Sequence, residues 1–186
     1  MDIRPLTLKQ IKYIYYTHMT RDFPKSELRP YWNMRSLLRR GIYECFGLYE
    51  NNELQAYACM LRADGHLLLD YYAVLPPLRG SGIGGNFLRS IAQNCNANGI
   101  LLEVESPRAA ENAKALEICN RRIAFYQRNG AHLTRVSGMV WSADFTVMYI
   151  PVTQDMNDTE VLKAIMSIYQ HMIPARWLKK VRYKID

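Results

Sequence analysis

No apolar run in this 186-residue sequence approaches the roughly 18 to 20 residues that a membrane-spanning helix requires, so helical insertion is not expected. A cationic leader is also missing. The start reads Met1-Asp2-Ile3-Arg4-Pro5, and Lys9 and Lys12 interrupt the first apolar stretch, which predicts a cytoplasmic protein without a secretory signal. Cysteine is scarce: Cys45, Cys59, Cys95 and Cys119 are widely separated, form no C-x-x-C and lie in apolar segments, so buried thiols are expected instead of disulfides. The four histidines form no H-E-x-x-H, and no metal is expected. With 10 Gly and 8 Pro there is no collagen-like or low-complexity stretch, and no internal repeat divides the chain. What is present is 49% hydrophobic residues, 11% aromatics and a net charge of +7, the composition of a domain with a core. That charge leaves three partners open: nucleic acid, a membrane surface or a small anionic ligand.

The periodicity predicts a strand near Asp2–Arg4 and a helix capped by Thr7, with Leu8, Ile11, Ile14 and Tyr15 on one face. A second helix is expected near Tyr31–Arg40, stopped by Gly41. Strands over Tyr43–Tyr49, Leu54–Arg62 and His66–Leu75 follow, joined by turns short enough to make an antiparallel meander. The pattern then changes. Helix Ile83–Ala97, with Gly99 as its C-terminal cap, leads to a strand at Ile100–Glu105, which implies a parallel crossover inside a mostly antiparallel sheet. A helix over Glu111–Asn129, strands over Ala131–Trp141 and Phe145–Val152, and a helix started by Asn157 with Glu160 complete the order. The fold class is α/β in a single domain over residues 1–152, with 153–186 a C-terminal helical extension packed on it.

The strongest chemical signal is Val74-Leu75-Pro76-Pro77-Leu78-Arg79-Gly80-Ser81-Gly82-Ile83-Gly84-Gly85. Glycines at the start of a helix let backbone N–H groups converge, and the helix dipole adds positive potential, so phosphate is favoured. Gly80, Gly82 and Gly85 also spell G-x-G-x-x-G, with Glu103 or Glu105 about 20 residues later, as in a dinucleotide-binding fold. Against that reading, four residues separate strand from glycines, the strand belongs to a meander, and only one crossover is present. The remaining alternative is a plain glycine turn.

Arg79-Gly80-Ser81-Gly82-Ile83-Gly84 resembles the R/Q-x-x-G-x-G/A loop of the GNAT N-acetyltransferase superfamily, and Ala73-Val74-Leu75-Pro76 resembles the strand before it. Arg121-Arg122-Ile123-Ala124-Phe125-Tyr126-Gln127-Arg128-Asn129-Gly130-Ala131 is similar to the family's second block, and the order of elements to Val152 matches. One departure is visible: Cys119 stands where many members have an asparagine seven residues before the helix tyrosine, with Asn120 beside it as the candidate substitute. The resemblance implies a mixed sheet whose central parallel strands splay apart, with flanking helices. It implies acetyl-CoA as co-substrate, its pyrophosphate held by backbone N–H groups of Arg79, Gly80, Ser81, Gly82, Ile83 and Gly84. Its pantetheine arm would lie along Tyr72, Ala73 and Val74, and an N–H near Val74 would hold the thioester oxygen. Tyr126 would donate a proton to the departing sulfur.

A primary amine with a pKa near about 10 is mostly protonated at neutral pH, so direct attack on a thioester needs a base. Strand alternation puts Glu103 and Glu105 on one face and Leu102 and Val104 on the other. Either carboxylate is a candidate, directly or through water, as is Asp70; a salt bridge or solvent contact is the plain alternative for each. The expected activity is acetyl transfer to a primary amine of a small molecule or peptide in a ternary complex. Aromatic and acidic residues of the first helices and late hairpin, including Tyr15, Tyr16, Phe23, Glu27, Trp32, Trp141 and Asp144, suit an amine without identifying it. Competing readings are a non-catalytic acyl-CoA-binding regulatory domain and a dinucleotide-binding protein. Nucleic acid, suggested only by the basic tail from Arg176 to Lys184 with Trp177 and Tyr183, is not expected, nor is a membrane partner. Monomer and homodimer both remain open.

Overall fold

The computed structural model describes residues 1–186. Its elements, in chain order, are β1 (Asp2–Pro5), α1 (Leu8–Ile14), α2 (Thr20–Asp22), α3 (Tyr31–Arg39), β2 (Tyr43–Glu50), β3 (Glu53–Ala63) and β4 (His66–Val74). They continue as α4 (Ile83–Asn94), β5 (Gly99–Glu105), α5 (Ala113–Arg128), β6 (His132–Val140), β7 (Ala143–Pro151), α6 (Asp158–Met172) and β8 (Val181–Ile185). A π-helical stretch, Tyr15–Met19, joins α1 to α2. The strand order is β1-β2-β3-β4-β5-β7-β6-β8. β4 and β5 are parallel, from His66↔Gly99 to Leu69↔Leu102, while β5–β7, β7–β6 and β6–β8 are antiparallel. No helix is long and apolar enough to cross a membrane.

By internal contacts the chain forms two compact units, residues 1–61 with 70–87, and residues 62–69 with 88–186. In the first unit, Thr7 and Gln10 form a capping box that starts α1, and Ile11, Ile14, Met19, Met34 and Leu37 are buried with Leu48 and Tyr57. Asn51 and Asn52 both take positive φ between β2 and β3, which is the primed turn geometry that matches strand twist. Met34 and Leu37 are the inward face of α3, and Gly41, at φ +70°, ends that helix.

In the second unit, Asp64 (φ +45°) and Gly65 (φ +78°) make another two-residue primed turn, ahead of β4. The buried side chains are Leu67, Leu68, Ile100, Leu101, Leu102 and Val104, with Val147, Met148 and Tyr149 of β7 and Val161, Ile165 and Ile168 of α6. Asn157 caps α6 through Thr159 and Glu160 N–H groups while the Glu160 side chain accepts from the Asn157 N–H.

Two expectations change. α4 ends at Asn94, short of Ala97, and Gly99 is not its cap: it opens β5, paired with both His66 and Pro151. Its glycine identity has a packing reason, because a Cβ there would lie 2.1 Å from the Tyr149 hydroxyl oxygen. Residues 181–185, read above only as a basic tail, form β8 against β6. Of the four cysteines, Cys45, Cys59 and Cys119 are buried and Cys95 is partly exposed, and none forms a disulfide.

Candidate active site

In the first unit, Pro76 and Pro77 turn the chain out of β4, and the glycine loop delivers it into α4. Gly80 and Gly82 both adopt φ +85°, a conformation other residues reach only with strain. A Cβ at either would meet no atom within 4 Å, so the glycines serve conformation and leave open space over the loop. The Asn86 N–H donates to the Gly82 carbonyl at 3.2 Å, closing the first turn of α4. The N–H groups of Ile83, Gly84 and Gly85 then lie in that first turn, where a helix offers donors without intrahelical partners.

Several contacts fix this loop to β4. Arg79 Nε donates to the Val74 carbonyl at 3.0 Å, and the Tyr72 hydroxyl donates to the Gly84 carbonyl, its ring stacked 5.6 Å from Phe87. The Tyr72–Val74 segment and the Arg79–Gly84 loop are thereby brought together. Arg79 Nη2 meets Asp22 at 2.7 Å, and the second Asp22 oxygen accepts from the buried Tyr57 hydroxyl at 2.7 Å. Burial, then that hydrogen bond, pushes the Tyr57 phenol upward. Arg79 acts here as a brace, and its own N–H is directed to the Pro76 carbonyl at 3.3 Å. Asp22 and Tyr57 carry no motif, which is why they do not stand out in the sequence.

Asp70, also in this unit, is enclosed. Arg29 grips it with Nη2 at 3.0 Å and Nε at 3.2 Å, and the Tyr43 hydroxyl donates at 2.6 Å. Both charged side chains are largely buried, so the pair anchors the chain before α3.

The second unit holds Glu103, Glu105, Asn120 and Tyr126. Leu102 and Val104 are buried on one face of β5, and the partly exposed Glu103 and Glu105 occupy the other. Their partners differ in kind. Glu105 pairs with Arg122 of α5 at 2.5 Å, with Cys119 Sγ 4.0 Å away, and burial followed by that carboxylate raises the Cys119 pKa. Glu103 instead accepts from two neutral hydroxyls, Tyr169 of α6 at 2.7 Å and Tyr183 of β8, both on Oε1. Tyr169 and Tyr183 are the partners that sequence reading missed; the alternation Val181-Arg182-Tyr183-Lys184-Ile185 was the available signal for the strand.

Tyr126 lies one turn beyond Arg122 on α5, its ring edge-to-face with Phe125 at 5.2 Å. Although the residue is partly exposed, burial pushes its hydroxyl pKa up to about 12, with Arg122 working in the opposite direction. Asn120 is exposed on α5, whereas Cys119 beside it is buried. No group of three or more His, Cys, Asp or Glu residues is arranged to hold a metal.

Comparison with known proteins places this geometry. The model of the acetyltransferase (GNAT) family matches residues 8–131. A search of curated proteins finds no match. Among solved structures, a protein described as a GNAT-family acetyltransferase from Bacteroides thetaiotaomicron superposes with TM-score 0.70 at 20% identity, covering 89% of this chain and 93% of its own. The ribosomal-protein-S18-alanine N-acetyltransferase of Escherichia coli gives TM-score 0.56 at 18% identity, with coverages of 84% and 97%. An acetyltransferase of Bacillus subtilis, solved in complex with CoA, gives 0.57 at 14%, with coverages of 81% and 97%.

Proposed function

Since the chain belongs to the GNAT acetyltransferase family, we propose that it transfers an acetyl group from acetyl-CoA to a primary amine of a small molecule or peptide, by direct attack in a ternary complex. The observation that carries this reading is the loop: two glycines at φ +85° with open space above them, at the start of α4, inside the region the family model matches. N–H groups from Gly80 through Gly84 suit a pyrophosphate, since Arg79's own N–H is already engaged with Pro76. In this reading the backbone of Tyr72, Ala73 and Val74 receives the pantetheine arm. Acetyl-CoA supplies an activated acyl group and a thiolate leaving group.

Glu103 is the base in this reading, directly or through water. Glu105 is engaged in an ion pair with Arg122, whereas Glu103 accepts hydrogen bonds from the Tyr169 and Tyr183 hydroxyls, which orient its carboxylate. Tyr126 is the acid. With its pKa pushed up to about 12 it is fully protonated at neutral pH and available as a donor. Against an ordinary thiol near about 8.5 the transfer is uphill, but the burial that raises the phenol raises a thiol beside it as well. Asn120 remains the candidate for the contact that the family's asparagine makes.

Calorimetric titration with acetyl-CoA, CoA and NAD, on the natural chain and on Gly82→Trp, tests the loop. Acetyl-CoA and CoA are expected to bind and NAD is not, and the tryptophan should weaken CoA at least about tenfold. Binding of NAD without CoA overturns the reading. Release of free thiol is then followed with spermidine and an alanine-ended peptide as probe amines. Tyr126→Phe is expected to slow turnover while leaving acetyl-CoA affinity unchanged; unaltered turnover at every pH removes Tyr126 as the acid. Binding without thiol release to any amine would favour the acyl-CoA-binding domain.

A further inference from the structure

The C-terminal segment, residues 153–186, lies beyond the 8–131 matched by the family model, yet it supplies both hydroxyls on Glu103. The register shows how one of them arrives. Glu105 faces Phe145, Phe145 faces Gly138, and Gly138 faces Tyr183, so three inter-strand steps separate β5 from β8. At ~4.8 Å per step that is about 14 Å, too far for a phenol standing upright on its own strand. Tyr183 therefore lies across the sheet, over Gly138. A Cβ on Gly138 would come 2.2 Å from the Tyr183 ring and 2.7 Å from the Arg182 carbonyl oxygen, so the missing side chain is the passage the ring uses. Tyr169 approaches from α6, 4% exposed, with its ring 5.9 Å from that of Tyr183.

An ionised carboxylate is acceptor-only, and two donors on one oxygen fix its rotation and favour its charged form without cancelling the charge. Glu105 stands two residues along β5 on the same face, and Arg122 and Cys119 of α5 engage Glu105. Tyr183 also borders a cleft of about 460 Å³ with Ser106, Met139, Asp144 and Phe145, large enough for a small substrate.

We infer that Tyr169 and Tyr183 are positioning residues for Glu103, so that α6 and β8 belong to the proton-transfer apparatus. The inference rests on the reading of Glu103 as the base, and the experiment separates the two. Tyr169→Phe, Tyr183→Phe, the double variant and Glu103→Gln are compared in kcat and KM against pH, with spermidine and the alanine-ended peptide as probes. In parallel, the Glu103 carboxyl carbon is titrated by 13C NMR in the natural chain and the phenylalanine variants. Loss of the donors should raise the Glu103 pKa by on the order of one unit, moving the acid limb of kcat/KM up by the same amount and lowering kcat/KM about tenfold below it. The KM for acetyl-CoA should stay unchanged.

Gly138→Ala, which displaces Tyr183 without removing its hydroxyl, should shift the titration in the same direction. A Glu103→Gln variant with full turnover defeats the base reading and with it the positioning role. If Glu103→Gln is inactive while the phenylalanine variants keep the natural titration and pH profile, the positioning role alone is overturned. Should neither probe amine turn over, an unmoved Glu103 titration overturns it equally.

Discussion

Tyr149 shows how one glycine sets a core position. The residue is 1% exposed, and its one hydroxyl proton is directed to the Gln154 carbonyl at 2.5 Å, with the Asn98 carbonyl 3.2 Å from the same oxygen, in the space that Gly99 leaves by having no side chain. Gly99→Ala puts a methyl 2.1 Å from that oxygen and is expected to cost about 1–3 kcal/mol. For a chain of this size each kcal/mol lowers the melting temperature by roughly 2–4 °C, which a thermal unfolding scan resolves. The residue scale is also where sequence reading was weakest. Gly80 and Gly82 were legible because loop glycines announce themselves, whereas Gly99 reads as a helix cap until its strand partners are known. Glu103 and Glu105 look alike in sequence; the two phenols on Glu103 and the guanidinium on Glu105 tell them apart.

The elements themselves were largely legible, since apolar periodicity and capping chemistry are local. Asn157 with Glu160 announced α6, and the structure has the reciprocal box. Asn157→Ala leaves the Thr159 and Glu160 N–H groups without their acceptor and should cost about 0.5–2 kcal/mol, read as a lower denaturant midpoint at unchanged slope. A substitution with serine should restore most of it. β8 was legible only as the short alternation from Val181 to Ile185, which Arg182 and Lys184 make look like a basic tail, and a five-residue strand is defined by what it pairs with. Tyr169 reads as one more apolar position in the α6 stripe, and nothing local says that its hydroxyl meets Glu103.

Across the whole molecule, burial raises the phenol pKa of Tyr15, Tyr43, Tyr57, Tyr71, Tyr126 and Tyr149, the last two to about 12. Unfolded phenols titrate near about 10, so the unfolded chain releases these protons first. The stabilisation is intact below about pH 10 and is lost as pH rises towards 12 and beyond. Unfolding should therefore be steep in alkali and coincide with the rise of tyrosinate absorbance; a gradual rise that precedes loss of structure would contradict it. The charge of +7 is segmental: residues 25–40 carry +4, 108–128 carry +3 and 175–186 carry +4, leaving −4 elsewhere. The middle segment includes Arg122 and α5, and the last includes β8. That strand ends the strand order on its side, and its alternation exposes Arg182 and Lys184 while Val181 is buried. A second copy laid along this edge would bring its own arginine and lysine against these, so the charges that decorate β8 also guard the open rim of the sheet against runaway strand-to-strand stacking.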